Sequence, residues 1–175
     1  MKSSVRKFIL FGLICALAAF SIDAGVETAP PSARKQVLFI CTGNYYRSRF
    51  AEALFNQKAC AAHSDWHAVS RGLRIVPSQH GISALTKREL NKRGVPPEFF
   101  GVGPRALAKE DLEKNDYIVL MDEAEHRPML EKQFPVRDNA RIHYWHIGET
   151  YVMPPANACQ AMSAQIEELL RTLPR

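Results

Sequence analysis

Apolar runs of strand length alternate with stretches of helical periodicity along most of this chain, and that alternation restricts the folds it can adopt. Residues 36–40 (QVLFI), 66–70 (WHAVS), 117–121 (YIVLM) and 140–146 (ARIHYWH) read as strands. Between and after them, residues 48–59, 82–94, 109–115, 122–134 and 158–173 read as helices. Gly94 closes the second helix, and Pro128 predicts a defect in the fourth. Strands separated by helices form parallel sheets, because each parallel pair needs a crossover and the crossover helices cover both sheet faces. The expected class is therefore α/β. With 175 residues, 46% of them hydrophobic, the chain is long enough for one well-buried domain and short for two.

The first residues stand apart from that unit. Lys2, Arg6 and Lys7 precede an apolar run over residues 8–20, which is short for a bilayer span, and small residues follow at Ala19, Ser21 and Ala24. Residues 1–24 read as a signal peptide, with an uncleaved anchor as the alternative, and residues 25–35, containing Pro30 and Pro31, as a linker. The domain is expected over residues 36–175. This leader implies an exported protein, periplasmic or secreted, and membrane contact only if the segment stays attached. The formal charge of +5 is spread without a dense basic run or a nucleic-acid-reading motif, so nucleic acid is not an expected partner and only a mild preference for anions follows. Beyond the leader, Cys41, Cys60 and Cys159 remain, an odd count. The expected topology puts Cys60 and Cys159 about a dozen helical residues apart in level, at about 1.5 Å each, beyond disulfide reach. Three free thiols are expected.

Residues 41–48, CTGNYYRS, link the first strand to the first helix, at the place where open α/β sheets bind ligands. Five residues separate Cys41 from Arg47, enough for the backbone to curl so that successive N–H groups converge on one point, with the helix dipole adding positive charge. Thr42, Gly43, Asn44, Tyr45 and Tyr46 would form that oxyanion cradle. Gly43 and Asn44 tolerate the positive φ angles such a loop requires. Arg47 offers a planar fork for two phosphoryl oxygens, which a lysine does not reproduce. The same field favours the thiolate of Cys41, the nucleophilic form. Ser48 can cap the helix or donate to that thiolate.

The longer stretch VLFICTGNYYRSRFAEALF, residues 37–55, resembles the signature of the low-molecular-weight protein tyrosine phosphatases, and the resemblance extends over residues 36–172. It implies a three-layer sandwich with a four-stranded parallel sheet, helices on both faces and a phosphate-binding loop after the first strand. It also implies hydrolysis of phosphotyrosine, in a phosphorylated protein or a small aryl phosphate, through a phosphocysteine on Cys41, without cofactor or metal. By that resemblance Arg47 is the phosphate clamp and Ser48 stabilises the thiolate and leaving group. Asn44 and Ser70 take the positions of a network that holds the loop, and Asp122 that of an acidic residue beside the site, although an Asp after a strand is also a ready helix cap. Two departures stand out in the loop. Tyr46 replaces a second cysteine that serves the family as a redox safeguard. Arg49 replaces a proline, as a further cation at the mouth or as a solvated charge. Tyr45 can wall the substrate ring or sit at the rim.

The family's general acid is an Asp in an Asp-Pro, and this chain has no Asp-Pro. Aligned on Trp145, Glu149-Thr150-Tyr151 takes its place; with a longer loop Met153-Pro154 does, and the acid is lost. Beyond Asp138 the carboxylates are Glu149, Glu167 and Glu168, the last two in the final helix, so Glu149 is the acidic candidate, with His146 as a substitute. His143 and His146 face opposite sides of a strand and make a poor metal pair. Two rivals follow. A phosphate- or phosphopeptide-binding module would keep the cradle without turnover. An arsenate reductase would need relay cysteines, and none occurs between Ala61 and Ala158.

Overall fold

The computed structural model describes residues 35–136 and 139–174. The leader and the linker, apart from Lys35, lie outside the described residues. In chain order the elements are β1 (Lys35–Cys41), α1 (Arg47–Ala61), β2 (Trp66–Gly72), α2 (Ala84–Lys92), α3 (Lys109–Lys114), β3 (Tyr117–Leu120), α4 (Glu123–Gln133), β4 (Ile142–Tyr144) and α5 (Pro155–Thr172), with a 3-10 turn at Pro97–Phe99. The four strands form one parallel sheet in the order β2-β1-β3-β4.

Strand β1 lies inside the sheet, and Val37, Leu38, Phe39 and Ile40 are fully buried. Alternate residues enter different cores. Val37, Phe39 and Cys41 pack with Phe50 and Phe55 of α1, Leu90 of α2 and Met162 of α5. Leu38 and Ile40 pack with Leu112 of α3 and Leu130 of α4. A strand buried on both faces has no polar side to show, which is why its sequence is a continuous apolar run. Each fully buried phenylalanine contributes about 1.5–3 kcal/mol relative to exposure.

Local differences from the sequence reading have physical causes. Helix α2 starts at Ala84 because the Ser83 hydroxyl accepts the Thr86 N–H at 3.0 Å and caps it there. Helix α4 runs through Pro128 without a break: the Asp122 cap and the burial of His126 and Leu130 outweigh the missing hydrogen bond. Helix α5 begins at Pro155, a turn earlier than expected, since a proline in the first helical position has no N–H to satisfy. Strand β4 is confined to Ile142–Tyr144, although Trp145 and Ile147 still donate to the Leu120 and Met121 carbonyls at 2.9 and 2.8 Å. Those last bonds pin the segment after β4 beside the end of β3.

Strand order also positions the site. The chain leaves β1 toward β2 on one side, and β3 joins β1 from the other, which opens a crevice at their carboxyl ends. Into it run the loop after β1, the turn after β3 and the segment after β4. Cys41, Cys60 and Cys159 are free thiols. The Tyr46 hydroxyl, just before α1, lies 3.8 Å from Cys159 Sγ, whereas Cys60 is near the far end of α1, roughly 20 Å along the helix.

Candidate active site

The loop between β1 and α1 is braced from three sides. The Cys41 and Thr42 carbonyls accept the Leu73 and Arg74 N–H groups at 3.0 and 2.7 Å, and the Tyr45 carbonyl accepts that of Ser83 at 2.9 Å. Asn44 is fully buried with φ of 50°, a conformation asparagine tolerates better than most side chains. Its amide nitrogen donates to Ser48 Oγ at 3.0 Å and Ser70 Oγ at 2.7 Å, and its carbonyl oxygen accepts the Arg105 N–H at 2.8 Å. Ser70 in turn donates to Glu52 at 2.5 Å. Gly72 permits this closeness, since a Cβ there would lie 2.9 Å from both Asn44 N and Gly43 C.

Cys41 Sγ lies 3.0 Å from Ser48 Oγ. Because Asn44 already donates to that hydroxyl, the Ser48 proton is left for the sulfur, an arrangement suited to a thiolate. Ser48 therefore serves Cys41 and not the helix end: α1 is preceded by Tyr46, which makes no side-chain cap.

Arg47 is 1% exposed and held in a carboxylate grip. Its Nη1 donates to Glu125 Oε2 at 2.7 Å and to the Ile147 carbonyl at 3.0 Å. Its Nη2 donates to Glu125 Oε1 and Glu149 Oε2, both at 2.9 Å. The Nε–H is buried without a hydrogen-bond partner among the described residues, a donor left over at the base of the cradle. Burial works against the guanidinium charge, but the Glu125 hydrogen bonds and the surrounding negative charge raise its pKa above the ordinary arginine value.

Glu125 was not among the residues singled out from the sequence. Asp122 explains its aim: the Asp122 carboxylate accepts the Glu125 N–H at 2.9 Å as the cap of α4, which makes Asp122 a positioning cap and not an acid facing the reacting group. The Thr42 hydroxyl donates to Glu125, and His126 Nε2 lies 3.2 Å from Thr42 Oγ1 and 3.4 Å from the carboxylate. Burial alone pushes the Glu125 carboxyl up; hydrogen bonds from His126, Arg47 and Thr42, with the Arg47 charge, more than reverse this and hold it well below the usual carboxylate range. A depressed folded-state pKa gives stability that is complete above the unfolded value of about 4.3 and is lost as pH falls toward the folded value. Urea unfolding at pH 6 and pH 3 is expected to show a smaller acid loss for Glu125→Gln than for the unsubstituted protein; equal losses would contradict this.

Other predicted residues are distributed differently from expectation. Gly43 and Tyr45 are partly exposed along the loop, and Tyr45 is anchored through its carbonyl. The Tyr46 side chain is 8% exposed and packed in the core against Cys159, so it does not line the phosphate site; burial and Cys159 raise its pKa far above the ordinary phenol value. Arg49 is neither a mouth cation nor a solvated charge. It is 3% exposed, pairs with Glu52 at 2.7 Å and donates to the Phe100 carbonyl. That approach requires Gly101, where a Cβ would collide with the guanidinium. Glu149 is brought to the loop, where it accepts from Arg47 Nη2 at 2.9 Å, and Pro154 directly precedes α5. His146 is exposed, and His143 stacks on Tyr117 at 4.0 Å between ring centres.

Residues 36–172 match the family model described as low molecular weight phosphotyrosine protein phosphatase. The human low molecular weight phosphotyrosine protein phosphatase is 32% identical over 112 residues, covering 60% of this chain and 66% of the relative's length; the Drosophila melanogaster and Bacillus subtilis relatives are each spanned over 55% of their length. The crystal structure of the T. tengcongensis low molecular weight protein tyrosine phosphatase superimposes with a TM-score of 0.69 at 28% identity, covering 79% of this chain and 99% of that one. The thioredoxin-dependent arsenate reductase of Corynebacterium glutamicum shares the fold at a TM-score of 0.61 and 25% identity, covering 81% of this chain and 62% of its own. With the loop, the sheet order and the family match in agreement, the chain belongs to the low-molecular-weight phosphotyrosine protein phosphatase family.

Proposed function

We propose that this protein hydrolyses aryl phosphate monoesters, phosphotyrosine in proteins among them, through a phosphocysteine on Cys41. The observation that carries the reading is the pairing of Cys41 Sγ with the Ser48 hydroxyl at 3.0 Å beneath a loop whose Arg47 keeps a buried Nε–H without a partner among the described residues. In the first step the Cys41 sulfur attacks phosphorus, the bond to the aryl oxygen breaks, and the loop amides and Arg47 hold the nonbridging oxygens. The departing phenolate has a conjugate acid of pKa about 10, so it leaves readily only if protonated, a contribution of about 10²–10⁴-fold. Glu149, at the edge of the cradle, is the residue assigned to donate that proton, in the state in which its carboxyl is protonated and released from the Arg47 hydrogen bond seen at 2.9 Å, and then, as the carboxylate, to take one from the water that splits the phosphocysteine. Ser48 donates to the sulfur when it leaves phosphorus in the second step.

The absence of any cysteine between Ala61 and Ala158 favours phosphate ester hydrolysis over the arsenate reductase chemistry of the shared fold. The leader over residues 1–24 supports a site of action beyond a membrane, with the domain exported or held at the membrane by that segment.

A leaving-group series tests the assignment. Glu149→Gln is expected to slow aryl phosphates with poor leaving groups by about 10²-fold and to affect those with good leaving groups much less. Equal rates for both proteins across the series would remove Glu149 from the mechanism. Phosphate binding that depends on Arg47, without turnover of any ester, would instead indicate a binding module.

A further inference from the structure

A second group of cations lies beside the phosphate loop and takes no part in the chemistry above. A cavity of about 140 Å³ is lined by Arg49, Arg71 and Arg105, with Glu52, Ser70 and Gly101 among its other walls. Cys41, Arg47, Glu125 and Glu149 do not contribute to it.

Charge and hydrogen bonding in this cavity are incomplete. Three arginines and one carboxylate, Glu52, line it, and Glu52 is committed to Arg49 at 2.7 Å and to the Ser70 hydroxyl at 2.5 Å. Arg71 is paired with Asp111 at 2.9 Å and donates to the Ser70 carbonyl at 2.8 Å, while Arg105 is exposed and forms no ion pair among the described residues. Arg49, 3% exposed, carries a buried Nε–H that has no hydrogen-bond partner among the described residues. Burial is the main force lowering its pKa, and the neighbouring Arg105 and Arg71 charges add to it, a repulsion that a bound anion would relieve. The walls are also wired to the catalytic loop. The Arg105 N–H donates to Asn44 at 2.8 Å, and Ser70 bridges Asn44 and Glu52.

Size selects the ligand class. Water occupies about 30 Å³ in the liquid and pockets for larger organic ligands run from about 300 Å³, so this cavity takes a few waters or one small tetrahedral ion. We propose that it is an accessory oxyanion site, binding inorganic phosphate or sulfate between Arg49, Arg71 and Arg105, separate from the phosphate loop and coupled to it through Asn44. Arg49, placed where the family signature carries proline, supplies the inner wall.

Calorimetric titration of the full chain with inorganic phosphate at low ionic strength, where guanidinium–anion attraction is least screened, tests this directly. Two binding sites per chain are expected. Arg105→Glu, a substitution at an exposed side chain whose folding is checked by its melting temperature, is expected to leave one site and weaken the other at least about tenfold. Arg47→Lys identifies the loop site by weakening the remaining one, so failure of the proposed catalytic function and failure of the accessory site remain separate results. A single site in the unsubstituted protein, or two undiminished sites in Arg105→Glu, would overturn the proposal.

Discussion

Cys41→Ser is expected to lower turnover of an aryl phosphate by at least about 10⁴-fold, because the loss of a covalent nucleophile removes the route itself and not one of its supports. The environment of residue 41 is matched to sulfur. The Ser48 hydroxyl, fixed by Asn44, lies at 3.0 Å, a distance at which an O–H can stabilise a thiolate. A serine hydroxyl at that place has no adjacent base to remove its proton. Its fold should be unaffected, since residue 41 is held by the β1 ladder and by the Leu73 N–H at 3.0 Å, both backbone interactions. Steady-state rates measure the loss, and mass spectrometry after acid quenching checks its cause: the unsubstituted enzyme should carry a phosphoryl group on Cys41 and the variant none. Activity above about 1% of the original would show that another group attacks phosphorus.

Arg47→Ala is expected to damage catalysis and stability together. In catalysis it removes the free Nε–H and the positive charge behind it from the phosphoryl oxygens, where a single preorganised donor is worth about 10²–10³-fold. In the folded protein it leaves Glu125 and Glu149 facing each other across the space the guanidinium occupied. Breaking a buried pair by removing one partner costs about 3–5 kcal/mol. Side-chain exposures of 24% and 29% for the two glutamates point to the lower end of that range. Arg47→Lys separates the two effects, since lysine restores charge but not the planar fork. Urea unfolding should show most of the stability recovered in Arg47→Lys while kcat/KM stays at least about tenfold depressed. Full recovery of kcat/KM by lysine would mean that charge alone, without geometry, is what the site requires.

The layout of strands and helices was legible because each local pattern agreed with the global one. QVLFI reads as a buried strand and is one, and CTGNYYRS could be placed at a sheet edge from the strand before it and the helix after it. Contacts between distant segments were less visible. Glu125 lies 78 positions from Arg47, and the charge pattern of DEAEHRP does not by itself distinguish a carboxylate turned inward from one facing solvent. A signal did exist in Asp122 three residues earlier, since a capping aspartate fixes the orientation of the first helical turn. Arg49 misled for a related reason: with Glu52 three residues on, it has the spacing of a solvated helix pair, and its burial depends on the Phe100 carbonyl 51 residues away. Tyr46 was placed in the phosphate cradle, but the partner that draws its side chain into the core, Cys159, is supplied by the last helix.

The contact between Arg49 and Gly101 also bears on how sequence changes at the two positions combine. Any side chain at 101 would strike the guanidinium and would have to adopt φ of 66°, a conformation unfavourable in itself by about 1–2 kcal/mol. The collision exists only while arginine occupies position 49. The two positions are therefore coupled: with arginine at 49, a side chain at 101 is admitted only if the guanidinium gives up its place at the Phe100 carbonyl, so the cost of losing that glycine depends on what occupies position 49.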